Sequence, residues 1–235
     1  NARNIALAEK QNLPILTICS TCQGVMSQAE YRLENEEYRA QINETLAEEG
    51  LEYTGKTPTR HILWIIVEEI GEKKFKSLVK RQLEGLRLAP FYGCYLVRPS
   101  KALKFYEKPE RETCLEDLTE WVGATVVDFP GKTACCGFPI VTINEKASLK
   151  MVGNHTSTAK DLGAAAMVTP CPLCHLNLDQ YQDRAAWMME REIDLPIIHV
   201  PQLVGLALGL DPEELKINKH VISTKKLLTE ISLKP

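Results

Sequence analysis

The chain has 235 residues, is 44% hydrophobic and 25% charged, and carries a formal net charge of −3. That length allows one large domain or two small ones with real cores, and the near-neutral charge gives no reason to expect a polyanionic partner, so nucleic acid is set aside. No apolar run approaches the ~18 residues of a membrane span, and no signal peptide is visible.

Five short, apolar strands are expected, over residues 13–19, 86–92, 125–129, 165–169 and 196–200. They rarely alternate in polarity, as strands buried on both faces should. Polar, helix-prone stretches cover residues 28–49 and 177–192. Thr57-Pro58 reads as an N-cap with proline at the first helical position, opening a helix through Ile62, Leu63, Ile66 and Ile70 that stops at Gly71. A basic helix is expected over 73–84, and an amphipathic one over 102–122 with a break near Pro109. Another is expected over 145–162, and Asp211-Pro212-Glu213-Glu214 looks like a strong helix start. Strands alternating with helices predict an α/β fold with parallel sheets.

A faint internal repeat organises these elements. Residues 13–19 and 165–171 are both apolar runs that enter a Cys-x-x-Cys, at Cys19/Cys22 and at Cys171/Cys174, with a common offset of 152. The second copy has Cys135-Cys136-Gly137 about 35 residues before its Cys-x-x-Cys. The first copy would need its equivalent before Asn1. The expectation is therefore an N-terminal extension in the native protein, with one more Cys and one more Cys-Cys-Gly. The expected division is 1–60 as the remainder of the first repeat, 61–85 as connecting helices, and 86–235 as the second repeat.

The eight cysteines occur in groups, which favours metal ligation in a reducing cytosol over disulfides. Forty residues separate Cys94 from Cys135, and 34 separate Cys136 from Cys171. Adjacent cysteines cannot easily bridge each other but can bind two metal atoms of one cluster. Loops at the carboxyl ends of parallel strands could bring Cys94, Cys135, Cys136, Cys171 and Cys174 to one sheet edge. Gly93 and Gly137 would let the backbone approach a bulky core. Three rivals stand beside an iron–sulfur site. Zinc would use four ligands and leave one sulfur idle. A redox dithiol would not need the distant Cys-Cys pair. Buried free cysteines would carry no chemistry.

These cysteines, with Ala89-Pro90-Phe91-Tyr92-Gly93-Cys94, Arg98-Pro99 and the segment from Gln202 to Gly209, resemble the cysteine-rich CCG domain of the heterodisulfide reductase B subunit. The resemblance implies two Rossmann-like, parallel-sheet CCG repeats, the first N-terminally incomplete in this chain. It implies a non-cubane 4Fe–4S cluster held by Cys94, Cys135, Cys136, Cys171 and Cys174. A second cluster, or zinc, would use Cys19 and Cys22. The implied activity is that of an iron–sulfur oxidoreductase subunit acting on a disulfide or thiol substrate. Its electrons would come from iron–sulfur and flavoprotein partners, since the chain has no dinucleotide fingerprint. Two alternatives are a succinate dehydrogenase subunit passing electrons to quinone and a zinc-stabilised, non-catalytic assembly subunit. A cytoplasmic location is expected, with membrane contact at most peripheral and through partners.

His175 and His199 are the candidate catalytic histidines. His175 follows Cys174 and would donate a proton or a hydrogen bond, the alternative being a surface histidine at a helix start. His199 would line the same cavity, the alternative being a hydrogen-bonded core histidine. His61 and His155 read as structural residues on helices, and Cys114 as a free helix cysteine. Arg98 and Lys132 flank the ligand loops as candidates for offsetting thiolate charge, with plain surface charges as the alternative.

Overall fold

The computed structural model describes residues 1–231 and consists of short parallel strands threaded between helices. In chain order these are α1 (Ala2–Lys10), β1 (Ile15–Thr17), α2 (Ser20–Leu33), α3 (Glu36–Ala47), β2 (Thr59–His61), α4 (Ile62–Trp64) and α5 (Gly71–Leu78). Then come β3 (Arg87–Pro90), α6 (Ser100–Leu103), α7 (Cys114–Trp121), β4 (Thr125–Val126), α8 (Glu145–Asp161) and β5 (Ala166–Thr169). The chain continues through α9 (Pro172–Gln180), α10 (Gln182–Met189), β6 (Ile197–His199), α11 (Val200–Ala207) and α12 (Lys225–Glu230).

Two parallel sheets result, one of two strands in the order β1-β2 and one of four in the order β4-β3-β5-β6. The fold is thus the α/β, parallel-sheet class. The larger sheet is buried on both faces. Leu88, Ala166, Val168 and Ile198 pack with α4, α7 and α11, while Ala89, Met167 and Ile197 turn to the opposite face. That second face also carries Cys136, Cys171 and Cys174, so the cysteine loops grow out of a packed core. A third cluster of Ile5, Met26, Leu33, Leu46, Leu51 and Tyr53 supports the N-terminal half.

Each expected strand contains an observed one, but β2 replaces the helix start expected at Thr57-Pro58. Thr59–His61 pairs in register with Ile15–Thr17, and the helix begins only after His61, whose ring accepts from Leu63 N–H. The pairing of three backbone positions outweighs the local cap signal. The helix then widens into a π-turn over Ile65–Ile70. The basic helix ends at Leu78, earlier than residue 84. The stretch 102–122 is not one helix. Lys104 in a left-handed conformation ends α6, two 3₁₀ turns follow, and Arg111 folds inward over Trp64 to pair with Glu68. At Asp211 the cap chemistry forms, with Asp211 Oδ1 accepting from Glu213 N–H. The chain nevertheless leaves the helix within one turn, at Lys216, where φ is +55°. Gln202 claims the Leu215 carbonyl at 3.0 Å, so the last turn is held by a tertiary contact instead.

The stretch from Pro201 to Gly205 lies in α11, and Leu203 and Leu206 are core residues. Among the described residues no helix is long and apolar enough to cross a membrane.

Candidate metal centre

β3, β5 and β1 each run into a cysteine-bearing loop at their carboxyl ends. Cys94 follows β3, and Cys171 and Cys19 follow β5 and β1 as the N-caps of α9 and α2. Cys135 and Cys136 lie on the loop between β4 and α8, ahead of Gly137 in a left-handed conformation. The structure brings all of them together. Cys94 and Cys135, Cys135 and Cys136, Cys136 and Cys174, and Cys174 and Cys171 lie close enough to perturb each other's ionisation. Cys19 Sγ then stands 3.9 Å from Cys171 Sγ, and Cys19 is also paired with Cys22. Cys136, Cys171, Cys174 and Cys19 are buried, Cys94 and Cys135 are half-buried, and Cys22 is exposed.

Crowding sulfurs in this way forces them to share charge, because neighbouring thiolates repel. Two positions take the negative charge. Hydrogen bonds from Cys136 and then Cys94 pull Cys135 far down, and bonds from Cys174 and then Cys19 do the same to Cys171. The neighbours go up in return. Cys94 is raised by its bond to Cys135, Cys136 by the same residue to about 12, and Cys174 by Cys136 and Cys171. Gly137 N–H points at Cys135 Sγ at 3.4 Å and Phe138 N–H at Cys136 Sγ at 3.5 Å, as donors to anionic sulfur should.

The surroundings keep the loops in place. Asn177, fully buried, donates to the Cys136 carbonyl at 2.8 Å, and His155 Nε2 donates to the Cys135 carbonyl at 2.9 Å. Gly93 has φ +68°, and a Cβ there would lie 2.8 Å from Cys174 Sγ, so only glycine lets the backbone pass this sulfur. Ser20 Oγ and His175 Nε2 are buried beside the cysteines with no partner. The donor chemistry is that of a soft, thiolate-binding metal or cluster, although among the described residues no three such side chains already stand in the arrangement that holds a single metal ion. The sulfurs are numerous and met by the N–H groups of Gly137 and Phe138 and by the Thr21 hydroxyl, 3.6 Å from Cys171 Sγ.

The histidines divide differently from the expectation. His175 stacks against His199 with ring centroids 6.4 Å apart and tilts onto His220 at 4.6 Å. Neither His175 nor His199 is hydrogen-bonded to a cysteine sulfur among the described residues. His199 Nε2 instead donates to the Ile18 carbonyl at 3.1 Å. His61 is not on a helix face. It closes β2, is fully buried, and its Nε2 donates to the Pro170 carbonyl at 3.1 Å. Burial brings it down to about 4. His155 is on a helix, as expected. The flanking cations are committed elsewhere, Arg98 to the Thr133 carbonyl and Lys132 to Glu116 and Asp128. Cys114, at the start of α7, is fully buried, and its thiol donates to the Arg111 carbonyl. Sequence reasoning missed Asn177 and Ser20, whose positions beside Cys174 and Cys19 were the available signal.

The CCG cysteine-rich domain matches residues 88–179. The chain is 41% identical to the 8-methylmenaquinol:fumarate reductase membrane anchor subunit of Wolinella succinogenes, covering 97% of this chain and 78% of that protein. It is 35% identical to the B subunit of the ferredoxin/F(420)H(2)-dependent CoB-CoM heterodisulfide reductase of Methanosarcina acetivorans, covering 98% and 77%. A hypothetical protein from Helicobacter pylori shares the fold, with a TM-score of 0.75 at 16% identity, over 94% of this chain and 40% of that one. The chain belongs to the CCG-domain family that contains the heterodisulfide reductase B subunits and their relatives.

Proposed function

We propose that the chain is the iron–sulfur redox subunit of a heterodisulfide reductase-like complex, reducing or forming a disulfide. The observation that carries this reading is the convergence of the cysteine loops: the backbone at Gly93, beside Cys94, packs against Cys174 Sγ, Asn177 of α9 holds the Cys136 carbonyl at 2.8 Å, and Cys19 Sγ stands 3.9 Å from Cys171 Sγ. Cys94, Cys135, Cys136, Cys171 and Cys174 would hold a non-cubane 4Fe–4S cluster, and Cys19 and Cys22 would contribute to a second centre of iron–sulfur or zinc. The cluster would supply one-electron steps and an open iron as Lewis acid for a developing thiolate. The protein's part is to hold two anionic sulfurs, Cys135 and Cys171, between thiols that share their charge. Gly137 and Phe138 N–H orient the Cys-Cys pair, and Gly93 opens room at Cys174. His175, with its free Nε2, is the group assigned to hold a proton for the sulfur substrate.

Electrons would come from iron–sulfur and flavoprotein partners in the cytoplasm. The proposed division keeps 1–60 and 86–235 as the two repeats, with 61–85 connecting them. The test is iron, sulfide and EPR analysis of anaerobically purified protein, followed by Cys136→Ser. The variant should lose the cluster or convert it; an unchanged spectrum and iron content would refute the assignment. A second reading is favoured by the 41% identity to a fumarate reductase anchor subunit: transfer to quinone at a peripheral membrane contact. Retention on liposomes with quinone-dependent turnover, and no reaction with disulfides, would select it. Zinc without iron or sulfide would leave only an assembly role.

A further inference from the structure

His61 and His199 occupy equivalent places in the two halves. In β-sheet register His61 stands opposite Thr17, and His199 stands opposite Thr169, the residues that lead into Cys19 and Cys171. Both end a strand and cap the following helix, with backbone angles of −77°, 139° and −80°, 142°. Each ring then crosses to the other half. His61 reaches the Pro170 carbonyl, directly before Cys171, and His199 reaches the Ile18 carbonyl, directly before Cys19, both at 3.1 Å. Because each Nε2 faces a carbonyl, each carries the ring proton; in His61 the other nitrogen accepts from Leu63 N–H at 3.2 Å. Between these two crossed hydrogen bonds lies the 3.9 Å approach of Cys19 Sγ to Cys171 Sγ.

We propose that His61 and His199 are a reciprocal pair of positioning residues, each fixing the Cys-x-x-Cys loop of the opposite half. Together they set the separation of the two loops and thereby the geometry of the centres those loops hold. A neutral imidazole suits the task. It is rigid, offers one donor and one acceptor in opposed directions, and brings no charge to compete with the thiolates. The inference rests on the proposed function only in taking the loops to hold metal; the bracing is a property of the polypeptide and is measured without reference to the metal's identity.

The experiment is hydrogen exchange by mass spectrometry on the full chain as purified, comparing wild type with His61→Phe, His199→Phe and the corresponding Gln variants. Phe keeps the ring volume and removes the donor; Gln restores a donor near Nε2. Loss of one hydrogen bond should lower protection of the opposite loop about tenfold. His61→Phe should act on residues 171–175 and His199→Phe on 19–23, with Gln returning protection to near wild type. In a protein that contains a paramagnetic centre, His61→Phe should also shift its EPR signature. Unchanged protection of the opposite loop in a folded Phe variant would overturn the proposal, as would a Gln variant no better than Phe. Should buried His61→Phe not fold, the partly exposed His199 carries the test alone. Wild-type protein without iron would sink the proposed function and leave this result standing.

Discussion

Gly93→Ala isolates the contact between backbone and sulfur on which the proposed metal centre would depend. Two costs add at this position. The left-handed backbone, φ +68°, penalises any Cβ by about 1–2 kcal/mol. The new Cβ would also stand 2.8 Å from Cys174 Sγ, closer than packed atoms tolerate, and forcing such a site apart costs about 1–3 kcal/mol more. Gly50→Ala is the control, because it shares the positive φ, +64°, but meets nothing within 4 Å. For a chain of this size, 1 kcal/mol moves the thermal midpoint by about 2–4 °C. The control should therefore lose about 5 °C and keep its full metal content. Gly93→Ala should lose about 10 °C and a large share of its metal, since Cys174 must move. Anaerobic calorimetry with iron and zinc analysis reads both. The reasoning is refuted if Gly93→Ala is no less stable than Gly50→Ala and retains its metal.

Two other perturbations address the supporting groups. Asn177→Leu removes the donor to the buried Cys136 carbonyl and should cost about 1–3 kcal/mol, read by denaturation, with faster loss of metal to a chelator; an unchanged release rate would dismiss Asn177 as a loop support. His61, held at about 4 by burial against an unfolded value near 6.5, binds its proton in the unfolded chain first as pH falls. Stability is therefore undiminished above about pH 6.5 and falls as pH drops toward 4, by about 2 kcal/mol at pH 5. His61→Gln should lack that decline, and denaturation midpoints at pH 7 and pH 5 compare the two proteins. Equal declines would show that His61 is not buried neutral.

The sequence revealed the parts of this protein whose signals are local. Apolar runs entering Cys-x-x-Cys marked β1 and β5, and the offset between Cys19 and Cys171 paired the two loops whose sulfurs meet. What stayed hidden depended on contacts between distant residues. Thr57-Pro58 carries a helix-start signal, and only the pairing of Thr59–His61 with Ile15–Thr17 makes the residues that follow it a strand. The equivalence of His61 and His199 was masked by unequal spacing. Thirty-eight residues separate Cys22 from His61, but 24 separate Cys174 from His199. The longer first connection, which contains α3, breaks the repeat in the sequence while leaving the strand register intact. Arg98 and Lys132 were legible as charges near the loops, but their partners were not.

The likeness of the two halves stops at the positions that touch the sulfurs. Thr21 offers its hydroxyl 3.6 Å from Cys171, whereas the corresponding residue of the other half, Leu173, has none to offer. Cys22 is open to solvent where its counterpart Cys174 is enclosed. A pair of centres built on these loops would thus feel unequal polarity, and polarity and hydrogen bonding set the reduction potential of sulfur-ligated metals. Centres held by the two loops would then differ in potential, so that electrons passing between them would have one favoured direction.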